Sequence, residues 1–262
     1  MISALWTSAT GMNSQQTNID VISNNLANVN TSGFKKSKIN FADLIYTNMK
    51  DAGTPNAQGA EVPTGIEIGH GSKVNSTQKI FTQGNIQNTD SPLDMIIEGD
   101  GFFRVQLPNG NFGYTRDGSF KMDSNGDIVT ADGYYLDPQI NIPPEATSIS
   151  ITSDGTVSYK PGGSDQMQEA GQIQLYNFSN PAGLASQGRN LYSVTTASGM
   201  ANQSAPGTNG TGTITQGFLE MSNVKVVEEM VNMIAAQRAY ETNSKAIQAS
   251  DEMLQTANQL KR

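Results

Sequence analysis

Few residues in this chain have the type and spacing that covalent chemistry needs. His70 is the sole histidine, set in Gly69-His70-Gly71, and there is no cysteine. A nucleophilic triad built on His70 would need a serine on a Gly-x-Ser-x-Gly turn, which the sequence lacks. His70 therefore reads as a surface or interface histidine. Asp123, Asn125 and Asp127 open like a calcium loop, but the twelfth position, where a bidentate Glu belongs, is Tyr134. A hairpin turn is the better reading. Glu98-Gly99-Asp100-Gly101 lacks the Lys and Ser/Thr of a phosphate loop and reads as a turn into a strand. The aromatics Phe102, Phe103, Tyr114, Phe120, Tyr134 and Tyr135 could form a sugar or base platform, but their strand spacing points to core packing. No spacing pairs two carboxylates across a cleft, so the alternative of a secreted carbohydrate-binding or hydrolytic β-module has little to stand on. The expectation is no catalytic residue, no cofactor and no metal.

The patterning that is present belongs to assembly. From Ile2 to about Val29, Ile2, Leu5, Ala9, Met12, Ile19 and Leu26 recur at helical spacing, with Gln16 and Ser23 as polar interruptions. Asn30 to Gly33 then stop the helix. A longer helix is predicted from near Val224, capped by Ser222 and Asn223, with Glu228 and Glu229 in its first turns and Lys261 and Arg262 at its end. One stripe on it runs Ala235, Ala239, Thr242, Ala246, Ala249, Met253, Thr256 and Leu260. A second runs Met233, Ala236, Tyr240, Ile247 and Leu254. Two stripes require at least two partners, and the first helix can cover only one. The expected subunit interface is Leu5, Ala9, Met12, Ile19 and Leu26 together with Val231, Ile234, Ala235, Ala239, Ala246, Ala249, Met253 and Leu260.

Between the helices the texture changes. Residues 51–72 are rich in Gly, Pro and Ala and read as an extended arm. Beyond them, Asn109-Gly110, Asp117-Gly118, Asn125-Gly126, Asp132-Gly133 and Asp154-Gly155 mark tight turns between short strands. Gly101–Leu107, Phe112–Thr115, Ile149–Ile151 and Gln172–Tyr176 are the expected strands, and 197–213 reads as surface loop. The fold class is α+β: long terminal helices in a coiled-coil-like bundle (1–30 and 223–262), a connector and arm (31–72), and an inserted β-rich domain (73–222).

Composition fits this picture. Of 262 residues only 36% are hydrophobic and 15% charged, the balance being largely neutral polar side chains and Gly. Such surfaces bury against one another without desolvating ions. The net charge of -8, with few Lys and Arg, excludes nucleic-acid binding. No stretch approaches a membrane span, and residues 1–34 carry no Lys or Arg, so no cleaved secretory signal is expected.

Asn24-Asn25-Leu26-Ala27-Asn28-Val29-Asn30-Thr31-Ser32-Gly33-Phe34-Lys35 resembles the signature of the flagellar rod and hook family. The run from Gln237-Arg238-Ala239-Tyr240 to Ala246 resembles its closing helix. Pro92-Leu93-Asp94-Met95, Gly99–Phe103 and Tyr114–Phe120 resemble its β-domain motifs. The resemblance implies a structural subunit forming a helical homopolymer, exported without cleavage by the flagellar type III export apparatus. Its implied partners are proximal rod proteins, the hook protein and the periplasmic and outer-membrane ring proteins. Its implied place is the basal body, in the periplasm towards the outer membrane. Subunits repeating by heterologous contacts build an open filament, which agrees.

Overall fold

The computed structural model describes residues 2–53, 63–163 and 166–260, leaving out the side chains of Ile2 and Leu260. Lys261, Arg262 and the central part of the expected arm, 54–62, lie outside the described residues. The chain divides into two compact units, one of residues 1–26, 37–78 and 225–262, the other of 27–36 and 79–224.

Unit 1 holds helix α1 (Ile2–Ala27), strands β1 (Ser37–Asp43), β2 (Tyr46–Lys50), β3 (Ile66–Gly69) and β4 (Ser72–Lys79), and helix α2 (Val226–Leu260). At about 1.5 Å per residue, the 35 residues of α2 extend roughly 50 Å. It starts two residues later than the sequence suggests. Glu228 and Glu229 lie in its first turn, where the helix dipole favours acids. β1 pairs with β4 and β2 with β3, and Leu44 N–H to Gly71 O (2.9 Å) with His70 N–H to Ile45 O (3.2 Å) joins the two pairs end to end. The segment read as featureless arm thus ends in paired strand. Ile66-Glu67-Ile68 is too short an alternation to stand out beside its Gly/Pro-rich flank, and β2 supplies the backbone partners that make it a strand.

Unit 2 is all β apart from one turn of 3-10 helix, Pro181–Gly183. Its strands are β5 (Ile86–Asn88), β6 (Met95–Glu98), β7 (Phe103–Gln106), β8 (Phe112–Thr115), β9 (Lys121–Met122), β10 (Ile128–Val129), β11 (Tyr135–Asp137) and β12 (Ala146–Ile151). There follow β13 (Thr156–Pro161), β14 (Gln168–Gln172), β15 (Leu175–Asn177), β16 (Ala185–Gly188), β17 (Leu191–Ser193), β18 (Asn202–Ser204), β19 (Thr213–Gln216) and β20 (Phe218–Glu220). A seven-stranded antiparallel sheet runs β16-β17-β8-β7-β11-β10-β9, beside a three-stranded sheet β12-β13-β14 and the pairs β15-β18, β19-β6 and β20-β5. The turn dipeptides fall between strands as expected, and the calcium-like triplet is a hairpin turn, Asp123 N–H bonding Asp127 O at 2.9 Å. Gln172–Tyr176, read as one strand, is two. Its start ends β14 and its close opens β15, and between them the buried Ile173 donates its N–H to Gly155 O.

Alternating strand residues build the core. Met95, Ile97, Phe103, Val105, Phe120, Leu136, Val157, Leu175 and Ile214 form one cluster, and Phe102, Tyr114, Tyr176, Phe178, Leu184 and Tyr192 a second. Phe103 and Phe120 meet edge to face at 5.2 Å, as do Tyr114 and Phe178 at 4.9 Å. Phe102, Phe103, Tyr114 and Phe120 are buried while Tyr134 and Tyr135 are half-buried, so these rings are packing and not a stacking platform.

Candidate assembly surface

On α2, Glu229, Met233, Ala236, Tyr240, Asn243, Ile247, Ser250 and Leu254 are buried or half-buried. Their spacing alternates four and three, the repeat of a coiled-coil seam. Two contacts say what this seam meets. Asn25 Nδ2 lies 3.3 Å from Glu229 Oε2, and a Cβ added at Gly11 would come within 2.9 Å of Asn243 Nδ2. Fourteen residues forward on α1 correspond to fourteen backward on α2, so the helices run antiparallel at these points. Asn25 is also fixed from the side. It donates to Ser37 O and accepts from Ser37 N–H, both at 2.9 Å.

The inner row of α1 is mixed, two polar side chains beside one isoleucine. Ser14, Ile22 and Asn25 are its buried members, and Ser14 Oγ meets Ser72 of β4. The apolar positions singled out by periodicity lie elsewhere: Leu5, Met12, Ile19 and Leu26 are half-buried and Ala9 is exposed. On α2, Val231, Ile234, Ala235, Ala246, Ala249 and Met253 are exposed and Ala239 is half-buried, while the side chain of Leu260 is outside the description. Val227, Val231 and Ile234 expose 75%, 60% and 51% of their surface, far more than aliphatic side chains in a finished core. Shallow grooves separate them, one lined by Val227, Glu228, Val231 and Asn232, another by Ile234, Gln237, Arg238, Glu241, Thr242 and Lys245. Ile234, Gln237, Arg238 and Glu241 sit at i, i+3, i+4 and i+7, the outline of a hole that takes a knob from another helix.

The strands of unit 1 and the turn between them carry further uncovered apolar side chains. Phe41, Ile45, Tyr46, Met49, Ile66 and Ile68 are all exposed. His70 is half-buried among them, its Nε2 2.7 Å from Thr47 Oγ1, a hydrogen bond on a ribbon and not a catalytic relay.

Unit 2 contains a feature that sequence reasoning missed. Lys35, Arg116 and Glu220 are buried together, with side-chain exposures of 0%, 2% and 1%. Lys35 Nζ lies 2.5 Å from Glu220 Oε1 and donates to Thr82 O at 2.9 Å. Gly84 N–H donates to Glu220 Oε1 at 2.8 Å, and Arg116 Nη1 stands 3.5 Å from Glu220 Oε2. Burial pushes the Lys35 ammonium below its ordinary value, against the pull of Glu220, and also lowers Arg116. Gly33 and Gly84 allow the close approach. Gly33 sits at φ +67 with its N–H on Glu220 O at 2.7 Å, and a Cβ at Gly84 would fall 1.9 Å from Met221 O. Asn223 completes the join, accepting from Lys36 N–H and donating to Ile80 O, both at 2.8 Å.

Burial raises the phenols of Tyr176 and Tyr192 to about 12. An acid with a raised folded value keeps its proton longer in the folded state, so stability is full below about pH 10 and falls as pH climbs towards 12. An alkaline ultraviolet titration should show these two ionising last, together with the unfolding of unit 2. Their ionisation alongside exposed tyrosines in folded protein would contradict the packing described.

The described residues hold no cluster of three or more potential metal ligands. The sequence matches the flagella basal body rod protein family over 5–35, the flagellar hook protein FlgE/F/G D1 domain over 96–159, and the flagellar basal body rod FlgEFG protein C-terminal family over 215–260. Lys35, Arg116 and Glu220 fall one in each matched segment. The chain is 53% identical to the flagellar basal-body rod protein FlgG of Buchnera aphidicola subsp. Schizaphis graminum, over 99% of this chain and 100% of the relative. It is 53% identical to that of Borreliella burgdorferi and 42% identical to that of Bacillus subtilis, each over 100% of both chains. With rod-family segments at both ends and full-length identity of this order, the chain belongs to the family of flagellar basal-body rod proteins, which are structural and not enzymes.

Proposed function

We propose that this protein is the structural subunit of the flagellar distal rod, polymerising helically into a rigid shaft that carries motor torque to the hook. The observation that carries this reading is α2, a roughly 50 Å helix whose inner seam is covered while Val227, Val231, Ile234, Ala246, Ala249 and Met253 remain exposed. A neighbouring copy is the cover this reading assigns, since head-to-tail contacts whose rotation does not close build an open helical filament. In this reading residues 1–30 and 223–262 form the coiled-coil-like polymerisation domain, 31–72 the connector and arm, and 73–222 the outer domain. The partners are further copies, proximal rod proteins, the hook protein and the ring proteins, after uncleaved delivery by the type III export apparatus into the periplasm. Cryo-electron microscopy of the polymer tests this directly. It should show α2 helices packed against one another through the exposed row, and a polymer joined only through unit 2 would refute the assignment.

The arm has a role in the same reading. Its apolar side chains Ile66 and Ile68, with Ile45, Tyr46 and Met49 at the adjoining strand β2, are exposed in the single chain and would be covered by a neighbour. Deleting residues 51–65 should leave unit 2 folded but change the stiffness or length of rods seen by electron microscopy. Straight rods of normal length would remove the arm from the account.

A further inference from the structure

Burying three charges is a poor way to gain stability, since well-packed apolar replacements of buried ion groups are often as stable or more so. Lys35, Arg116 and Glu220 must do something that apolar side chains would not. Their location is informative. The chain crosses between the two units four times, and three of those crossings lie at Lys36, Lys79 and Val224. The segments of unit 2 at these crossings are tied together. Ile80 N–H bonds Lys36 O at 3.0 Å, Met221 N–H bonds Asn85 O at 2.8 Å, and Lys79 Nζ donates to Lys35 O at 3.1 Å.

We propose that the buried Lys35–Glu220–Arg116 cluster is a register lock that holds these three segments in one alignment. Apolar contacts are non-directional and tolerate sliding by a residue or two. The cluster does not. Lys35 needs an acceptor at Thr82 O as well as Glu220, and Glu220 needs the Gly84 N–H as well as Lys35. A shift of one residue in the Lys35 or Glu220 segment parts the two charges, and a shift in the segment between them takes away the Thr82 O and Gly84 N–H that complete their hydrogen bonding. The lock fixes where the chain leaves unit 2, which a subunit under repeated torsional load requires.

The test separates register from stability. The triple variant Lys35→Met, Arg116→Leu, Glu220→Leu should melt close to the parent protein. Its amides at Gly33, Ile80, Gly84 and Met221 should exchange hydrogen faster by on the order of tenfold or more, while Val105 in the core keeps its protection. Unchanged exchange at all four amides would overturn the proposal, and so would failure of the triple variant to fold, since the charges would then be needed for stability. The exchanged pair Lys35→Glu, Glu220→Lys gives a second reading. It should not restore protection, because Thr82 O and Gly84 N–H fix the polarity. Parental protection in that variant would show that pairing alone suffices and that no register is set.

Discussion

Glu220→Gln should destabilise unit 2 by about 3–5 kcal/mol at neutral pH, a large share of the roughly 5–15 kcal/mol that holds a domain together. The substitution keeps the shape and removes the carboxylate that pairs with both Lys35 and Arg116, leaving the more distant charge of Asp100 to offset them. Two buried cations then face each other. Of the two, Lys35 is the one able to shed its proton. From the ordinary Lys value of 10.5, neutralising Lys35 at pH 7 costs at most about 5 kcal/mol, at about 1.4 kcal/mol per pH unit. That ceiling agrees with the range above. It also fixes the pH dependence. A lysine whose folded value is depressed loses its proton first in the folded state, so stability is regained as pH rises from that value towards 10.5. The Glu220→Gln defect should therefore shrink as pH rises from 7 to 9. Lys35→Met should cost less than Glu220→Gln, because Arg116 and Glu220 still balance. Urea unfolding at pH 7 and pH 9 measures all of this. A defect under about 1 kcal/mol at pH 7, or one that does not change with pH, would mean that the site is wet and the charges are not confined.

The helices and most turns were legible because their signals are local. Periodicity along Val226–Leu260 needs only its own residues, and Asp-Gly and Asn-Gly pairs carry their own backbone preference. The charge cluster was not legible. Lys35, Arg116 and Glu220 come from distant segments, and each alone is an ordinary charge in a polar stretch. Lys35 and Arg116 even lie in the motifs that carry the family resemblance, with nothing nearby to say that they meet. The inner face of α1 misled for a different reason. Amphipathic reasoning selects Leu5, Met12, Ile19 and Leu26, but the face against α2 uses Gly11 and Asn25, chosen for close approach and hydrogen bonding. That leaves the larger apolar side chains half-exposed, where a neighbouring copy in the proposed polymer would cover them.

Ala246→Glu should abolish rod assembly while leaving the single subunit folded. Ala246 is exposed on α2, and Glu is nearly as good a helix former as Ala, so the isolated chain should lose no more than a few tenths of a kcal/mol. Ala236 provides the contrast. It is 3% exposed in the inner seam, and Ala236→Glu should damage the subunit itself. In a polymer packed through the exposed row, a glutamate at position 246 is both too large and an unpaired charge taken out of water. The penalty is several kcal/mol per contact and recurs at every subunit. A polymer that adds one copy at a time amplifies it, since a loss of 1.4 kcal/mol already raises the concentration needed for growth about tenfold. Cells carrying Ala246→Glu should export the protein, accumulate it outside the cytoplasm, stop the shaft short and lack hooks and motility. Circular dichroism and thermal melting of the purified variant should match the parent, which separates a failed contact from a failed fold. Motile cells with rods of normal length would place position 246 on the solvent side of the polymer and move the contact to Val227, Val231 and Ile234.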